Sequence, residues 1–206
     1  MSTKSELPDA GEIPFAGLTP DFILQSIDDL GFLSSGQLLA LNSYENRVYQ
    51  IGIEDESPII AKFYRPGRWS AEAIREEHEF SLCLAENDIP VVPPLLVNDE
   101  TLHSAGEYLF AVYERKPGRA PDITIDADLQ QLGRLLARIH LVGKSFPFEF
   151  REKLSVKLRG YDAREFVLSQ NFLPDYLRDS YDSLTQQLLA LVESQFEAYD
   201  YLAFQS

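Results

Sequence analysis

The chain has 206 residues, 45% hydrophobic and 25% charged, an ordinary globular composition that suits one domain or two small lobes. With 18 Lys and Arg against 33 Asp and Glu, the net charge of −15 argues against a nucleic-acid surface, which needs clustered cations. The lone cysteine, Cys83, excludes an intrachain disulfide, and no apolar run is long enough to span a membrane.

The N-terminus, MSTKSELPDAGEIPF, has no apolar core of the signal-peptide type, so residues 1–17 read as a flexible tail on a cytoplasmic protein. Pro20 to Leu30 forms an amphipathic helix with Phe22, Ile23, Ile27 and Leu30 inward, stopped by Gly31. Strand patterns follow at 37–41, 47–53, 59–64, 91–97 and 107–114, punctuated by turn sequences such as DESP at 55–58. A helix over about 70–86 interrupts them. KPGRAPD, 116–122, has the composition of a linker, and beyond it the pattern is helical: 127–143, with Asp126 as its cap, then 161–169 and 174–198. The expected plan is α+β, with a strand-rich lobe at 18–115 and a helical lobe at 123–206.

Three places carry chemistry. In PIIAKFYRP, 58–66, alternation puts Ile60, Lys62 and Tyr64 on one strand face, opposite Ile59, Ala61 and Phe63. In the helix after it, Ala73, Ile74, Phe80, Ser81, Leu84 and Ala85 form an apolar stripe at about 100° per residue. Glu72, Glu76, Glu79 and Glu86 fall outside that stripe, whereas Glu77 falls inside it. A carboxylate on a buried face needs a cation, and Lys62 is the basic side chain placed to meet it. Upstream, LNSYENRVYQIG, 41–52, introduces a strand through a loop richer in chemistry than a turn requires. Ser43 offers a hydroxyl and a backbone N–H to an anion, Asn46 tolerates a tight turn, and Arg47 adds charge. The loop contains neither G-x-G-x-x-G nor G-K-[ST], so it is not a Walker-type phosphate loop. Farther on, His140 shares an apolar helix stripe with Leu129, Leu132, Leu136 and Ile139 and reads as a structural histidine.

LNSYENRVYQ, IIAKFYRPGRW, EEHEFSLCL, the IPV segment and LGRLLARIH follow one another in an order that resembles the bacterial stress response kinase A family. These are Ser/Thr protein kinases with an aminoglycoside-phosphotransferase-like fold, and the resemblance covers residues 18 to 206. It implies a kinase-like lobe of antiparallel sheet plus one helix, followed by the first helices of a second lobe. It implies ATP as cosubstrate with Mg²⁺, protein Ser/Thr as acceptor, Ser43 on the nucleotide, Lys62 on its phosphates and Glu77 orienting Lys62. Tyr113 and Glu114, at a strand end, would lie beside the adenine.

The family's catalytic loop, His-Gly-Asp with a following Asn and a later Asp for magnesium, has no counterpart among these residues. The last segment, DYLAFQS, resembles the strand that leads into that loop. The 206 residues therefore read as the N-terminal portion of such a kinase, with neither catalytic Asp nor metal ligands, and inactive alone. Two alternatives stay open: a non-catalytic nucleotide-binding regulatory module, and an acidic interaction protein without a ligand.

Overall fold

Three short runs of β-branched and aromatic residues, RVYQIGI, IIAKF and YLFAVYE, build the centre of a five-stranded sheet. The computed structural model describes residues 14–198; the segments 1–13 and DYLAFQS lie outside them. In chain order the elements are α1 (Pro20–Asp28), β1 (Ser34–Leu41), β2 (Arg47–Ile53), β3 (Ile59–Phe63), α2 (Ala71–Glu86), β4 (His103–Ala105) and β5 (Tyr108–Glu114). Then come α3 (Asp126–Gly143), a π-helical turn at Lys157–Tyr161, α4 (Asp162–Ser169) and α5 (Asp175–Ala198). The sheet order is β1-β2-β3-β5-β4, with every neighbouring pair antiparallel.

The alternation of β3 decides what lies on each side of the sheet. Ile59, Ala61 and Phe63 turn to one face, where they are buried with Ile51, Ile53, Phe110 and Val112 under Ile23 and Ile27 of α1. The Phe63 and Phe110 rings stack there at 5.0 Å. Tyr64 turns to the opposite face and joins Ile74 of α2, Leu102 and Ala111 in a second, smaller cluster. Both helices open with a side-chain cap: Thr19 Oγ1 accepts from Phe22 N and Ser70 Oγ accepts from Ala73 N. Residues 14–17 form a turn against the first cluster, where Phe15 packs and Gly17 N–H donates to Tyr108 Oη.

Several expected elements differ. The strand expected at 91–97 is an irregular extended segment, touching β5 through a Pro94–Tyr113 bridge and a Leu95 N to Val112 O bond of 2.7 Å. Pro93 and Pro94 lack the N–H groups a ladder requires, which explains its failure to become a strand. The edge strand β4, three residues long, was too short to stand out. Asp126 does not cap α3: Ile125 occupies the cap position without a side-chain bond, and Asp126 lies in the first turn. His140 is exposed rather than embedded in an apolar face.

The chain divides into two compact units, Met1–Phe150 and Arg151–Ser206. The segment 116–122 lies inside the first of these, together with α3. In the second unit, Tyr161 Oη donates to Glu193 at 2.9 Å and Arg164 bonds Thr185 and Asp182, fastening α4 to α5. Leu184, Leu188 and Leu191 of α5 are exposed. No helix among the described residues is long and apolar enough to cross a membrane.

The burial pattern makes the first sheet face the main source of stability. Phe63→Ala is expected to lower the unfolding free energy by about 3–5 kcal/mol in urea denaturation. Leu188→Ala, at a position 54% exposed, should change it by less than about 0.5 kcal/mol. Comparable losses at both positions would contradict this placement of the core.

Candidate functional site

On the α2 side of the sheet, Lys62 Nζ donates to Glu77 Oε1 at 2.9 Å. β3 delivers the lysine and α2 the glutamate, so the pair ties the sheet to its helix as the strand and helix periodicities predicted. Its two side chains are 23% and 35% exposed, so the pair lies at the wall of a cleft rather than deep in the core. A pair so placed contributes about 1 kcal/mol or less to stability on its own. Nζ also sits 4.6 Å from the centre of the Tyr64 ring, a cation–π contact that fixes the ammonium from below. Glu77 uses one of the three ammonium donors, which leaves positive hydrogen-bonding capacity for an anion.

The cleft around this pair has a volume of about 380 Å³. Val48, Ile60, Val92 and Tyr113 supply apolar walls, while Lys62, Glu77, Glu114 and Lys116 supply charge. A larger groove of about 610 Å³ runs along β1 and β2, but Glu54, Asp55 and Glu56 line it and would repel phosphate. The smaller cleft is therefore the better anion site.

Of the residues singled out from the sequence, Lys62, Glu77, Tyr113 and Glu114 all line this cleft. Tyr113 faces Ile60 across the β3–β5 ladder, and exposed Glu114 pairs with Lys116 at 2.6 Å. Ser43, Asn46 and Arg47 are not in the lining. Ser43 Oγ donates to Asn46 O at 2.8 Å, and Asn46 Oδ1 accepts from Arg65 N at 3.3 Å. Arg47 pairs with Phe63 in the ladder, which sends its guanidinium to the α1 side of the sheet, 4.7 Å from the Phe15 ring centre.

Other residues of this region were not anticipated. Glu45 Oε1 accepts from Trp69 Nε1 at 3.0 Å and pairs with Arg68 at 3.3 Å, and Arg68 covers the Trp69 ring. The loop between β1 and β2 is thereby clamped to the chain leaving β3, with Tyr44 fully exposed at its tip. Behind Lys62, Tyr64 Oη bonds both Tyr113 Oη at 3.1 Å and His78 Nε2 at 2.7 Å, and His78 Nδ1 bonds Thr101 Oγ1 at 2.9 Å. Burial pushes the Tyr113 phenol up to about 12, against the opposing hydrogen bond from Tyr64 and with help from the Glu77 charge. Tyr113 is therefore a neutral donor and acceptor at physiological pH. The signal for His78 was available: it follows Ile74 by four residues and so borders the apolar stripe of α2. Glu76 is a correction of another kind. Expected to point away from the core, it is 4% exposed, and its carboxylate accepts the backbone N–H groups of Glu149 and Phe150.

Residues 37–198 match the model of the phosphotransferase enzyme family. The chain belongs to that family. It is 34% identical over 178 residues to a serine/threonine protein kinase RdoA of Salmonella typhimurium, covering 86% of this chain and 54% of the relative. It is 33% identical to stress response kinase A of Escherichia coli K12, covering 88% and 56%. The chain thus spans about half the length of the curated relatives it matches. Its fold is shared with an amicoumacin kinase solved with AMP-PNP, Ca²⁺ and Ami, at a TM-score of 0.61, 23% identity and coverage of 82% of this chain and 53% of that one. A microcompartment-associated aminopropanol kinase aligns at a TM-score of 0.54 and 19% identity, covering 71% and 54%. The fold is therefore kinase-like and α+β, as the resemblance implied.

The geometry predicts coupling between Lys62 and Glu77. In a double-mutant cycle with Lys62→Met and Glu77→Gln, followed by chemical denaturation, the coupling should reach about 0.5–1 kcal/mol. Strict additivity would show that the two side chains act independently.

Proposed function

We propose that this chain forms the nucleotide-binding side of an ATP-dependent kinase that transfers the γ-phosphate to Ser or Thr of a protein. The observation that carries the reading is the Lys62–Glu77 pair in a cleft with apolar walls. A purine fits between Val48, Ile60, Val92 and Tyr113, and the polyphosphate then runs toward Lys62. Glu77 holds the ammonium in place, so no ordering cost falls on the lysine when the phosphate arrives. Ser43 and Asn46 brace the loop between β1 and β2, which covers the phosphates with backbone N–H groups rather than with the Ser43 hydroxyl proton. Arg47 acts at a distance, by charge alone.

Mg²⁺ is the expected counter-ion of the phosphates. Among the described residues no group of three or more His, Cys, Asp or Glu could hold a metal, so no step is assigned to one. The His-Gly-Asp base is likewise missing from these 206 residues.

Protein Ser/Thr is favoured as acceptor by the 34% identity to a relative named a serine/threonine protein kinase. Kinases of small molecules share the fold at 23% and 19% identity, which makes a small hydroxylated acceptor the second reading.

Calorimetric titration with AMP-PNP tests the proposal. The wild-type chain should bind, Lys62→Met should weaken binding by about tenfold or more, and Ser43→Ala should cause a smaller loss. The purified 206 residues should transfer no phosphate to casein or to themselves. Binding indifferent to Lys62→Met would place the nucleotide elsewhere, and transfer abolished by Lys62→Ala would overturn the argument from the missing base.

A further inference from the structure

Helix α2 is gripped on two sides. Toward the sheet it offers Ile74 to the second core cluster and Glu77 to Lys62. Away from the sheet it is held at three levels by residues 138–150. Near its middle, the buried Glu76 carboxylate accepts the backbone N–H groups of Glu149 and of Phe150, the second at 3.0 Å. One turn on, the Phe80 ring lies 5.1 Å from both Phe146 and Phe148, and the backbone of Gly143 passes so close that a Cβ there would sit 3.4 Å from the Phe80 ring. Just past its C-terminal end, Arg138 Nη2 donates to Asp88 O at 2.8 Å.

Glu76 and Glu77 are consecutive, so they leave one rigid helix in directions about 100° apart. A shift of α2 by one to two ångströms, of the kind packed helices undergo, moves both carboxylates together and takes Glu77 out of hydrogen-bonding range of Lys62. We infer that Glu76 is a positioning residue: by docking on the amides of 149 and 150 it sets where α2 rests, and so whether Glu77 meets Lys62. The segment 146–150 then acts as a setting for the ion pair. Its effect on nucleotide binding rests on the function proposed above. Its effect on the ion pair does not.

The experiment is a ¹H–¹³C spectrum of protein labelled at the lysine ε-carbons, with the Lys62 signal assigned as the one lost in Lys62→Met. Glu76→Ala should move that signal toward its position in Glu77→Gln. Phe148→Ala, which loosens the segment from its own exposed side, should move it the same way and keeps the test open if Glu76→Ala does not fold. AMP-PNP affinity should fall about fivefold with Glu76→Ala and fall no further when Glu76→Ala is added to Glu77→Gln. A folded Glu76→Ala or Phe148→Ala protein whose Lys62 signal is unmoved would overturn the inference. Failure of the wild-type chain to bind AMP-PNP would defeat the nucleotide reading instead, and the Lys62 signal would still decide this one.

Discussion

The arrangement depends on one hydrogen-bonded ion pair between a strand and a helix, Lys62 to Glu77. Its energetic value is small, because both side chains keep contact with water. Its value lies in geometry. A lysine carries about four rotatable bonds, and free in solution its ammonium samples a wide volume. Held between a carboxylate at 2.9 Å and the Tyr64 ring at 4.6 Å, it becomes a fixed positive charge at the end of an apolar cleft. Electrostatic preorganisation of this sort is what phosphate recognition requires.

The surroundings of the pair are built to keep each partner where it is. On the strand side, Tyr64 is itself fixed by His78 and Tyr113, and His78 by Thr101, so a buried polar chain runs from the cleft wall into the interface between α2 and the sheet. With Tyr64, Tyr113, His78 and Thr101 each hydrogen-bonded, such a network rigidifies rather than destabilises. On the helix side, Glu76, Phe80 and the carbonyl end of α2 are each held by residues between 138 and 150. The loop before β2 is fastened separately, through Glu45, Arg68 and Trp69. The first two of these braces meet at the Lys62 ammonium, through Glu77 and the Tyr64 ring.

Much of this was legible in the sequence, and the reasons are periodicities. A two-residue period in β3 and a helical period in α2 sufficed to bring Lys62 and Glu77 together, since each places a charged residue on an otherwise apolar face. Tyr113 was marked as a cleft residue by the family resemblance and not by a periodicity, through its place at the end of β5. What stayed hidden depended on tertiary neighbours. Glu76 lies outside the apolar stripe, and nothing local reveals that backbone amides seventy-odd residues later come to cover it. In the 43–47 loop Ser43 and Asn46 bond their own chain, and Glu45, which carries no local signal, holds the clamp. Arg47 went to the far face because register, not composition, decides which way a strand residue turns. The segment at 91–97 had the apolar content of a strand, but its prolines remove the donors that make one.

The central claim is that Lys62, held by Glu77, is where the phosphates of a nucleotide rest. The most direct measurement is a crystal structure of this chain with AMP-PNP. The account predicts a phosphate oxygen within about 3 Å of Lys62 Nζ, with the Glu77 contact intact and the purine against Val48, Ile60 and Tyr113. A nucleotide seated along the β1–β2 groove, or one whose phosphates leave Lys62 bonded to Glu77 alone, would contradict it.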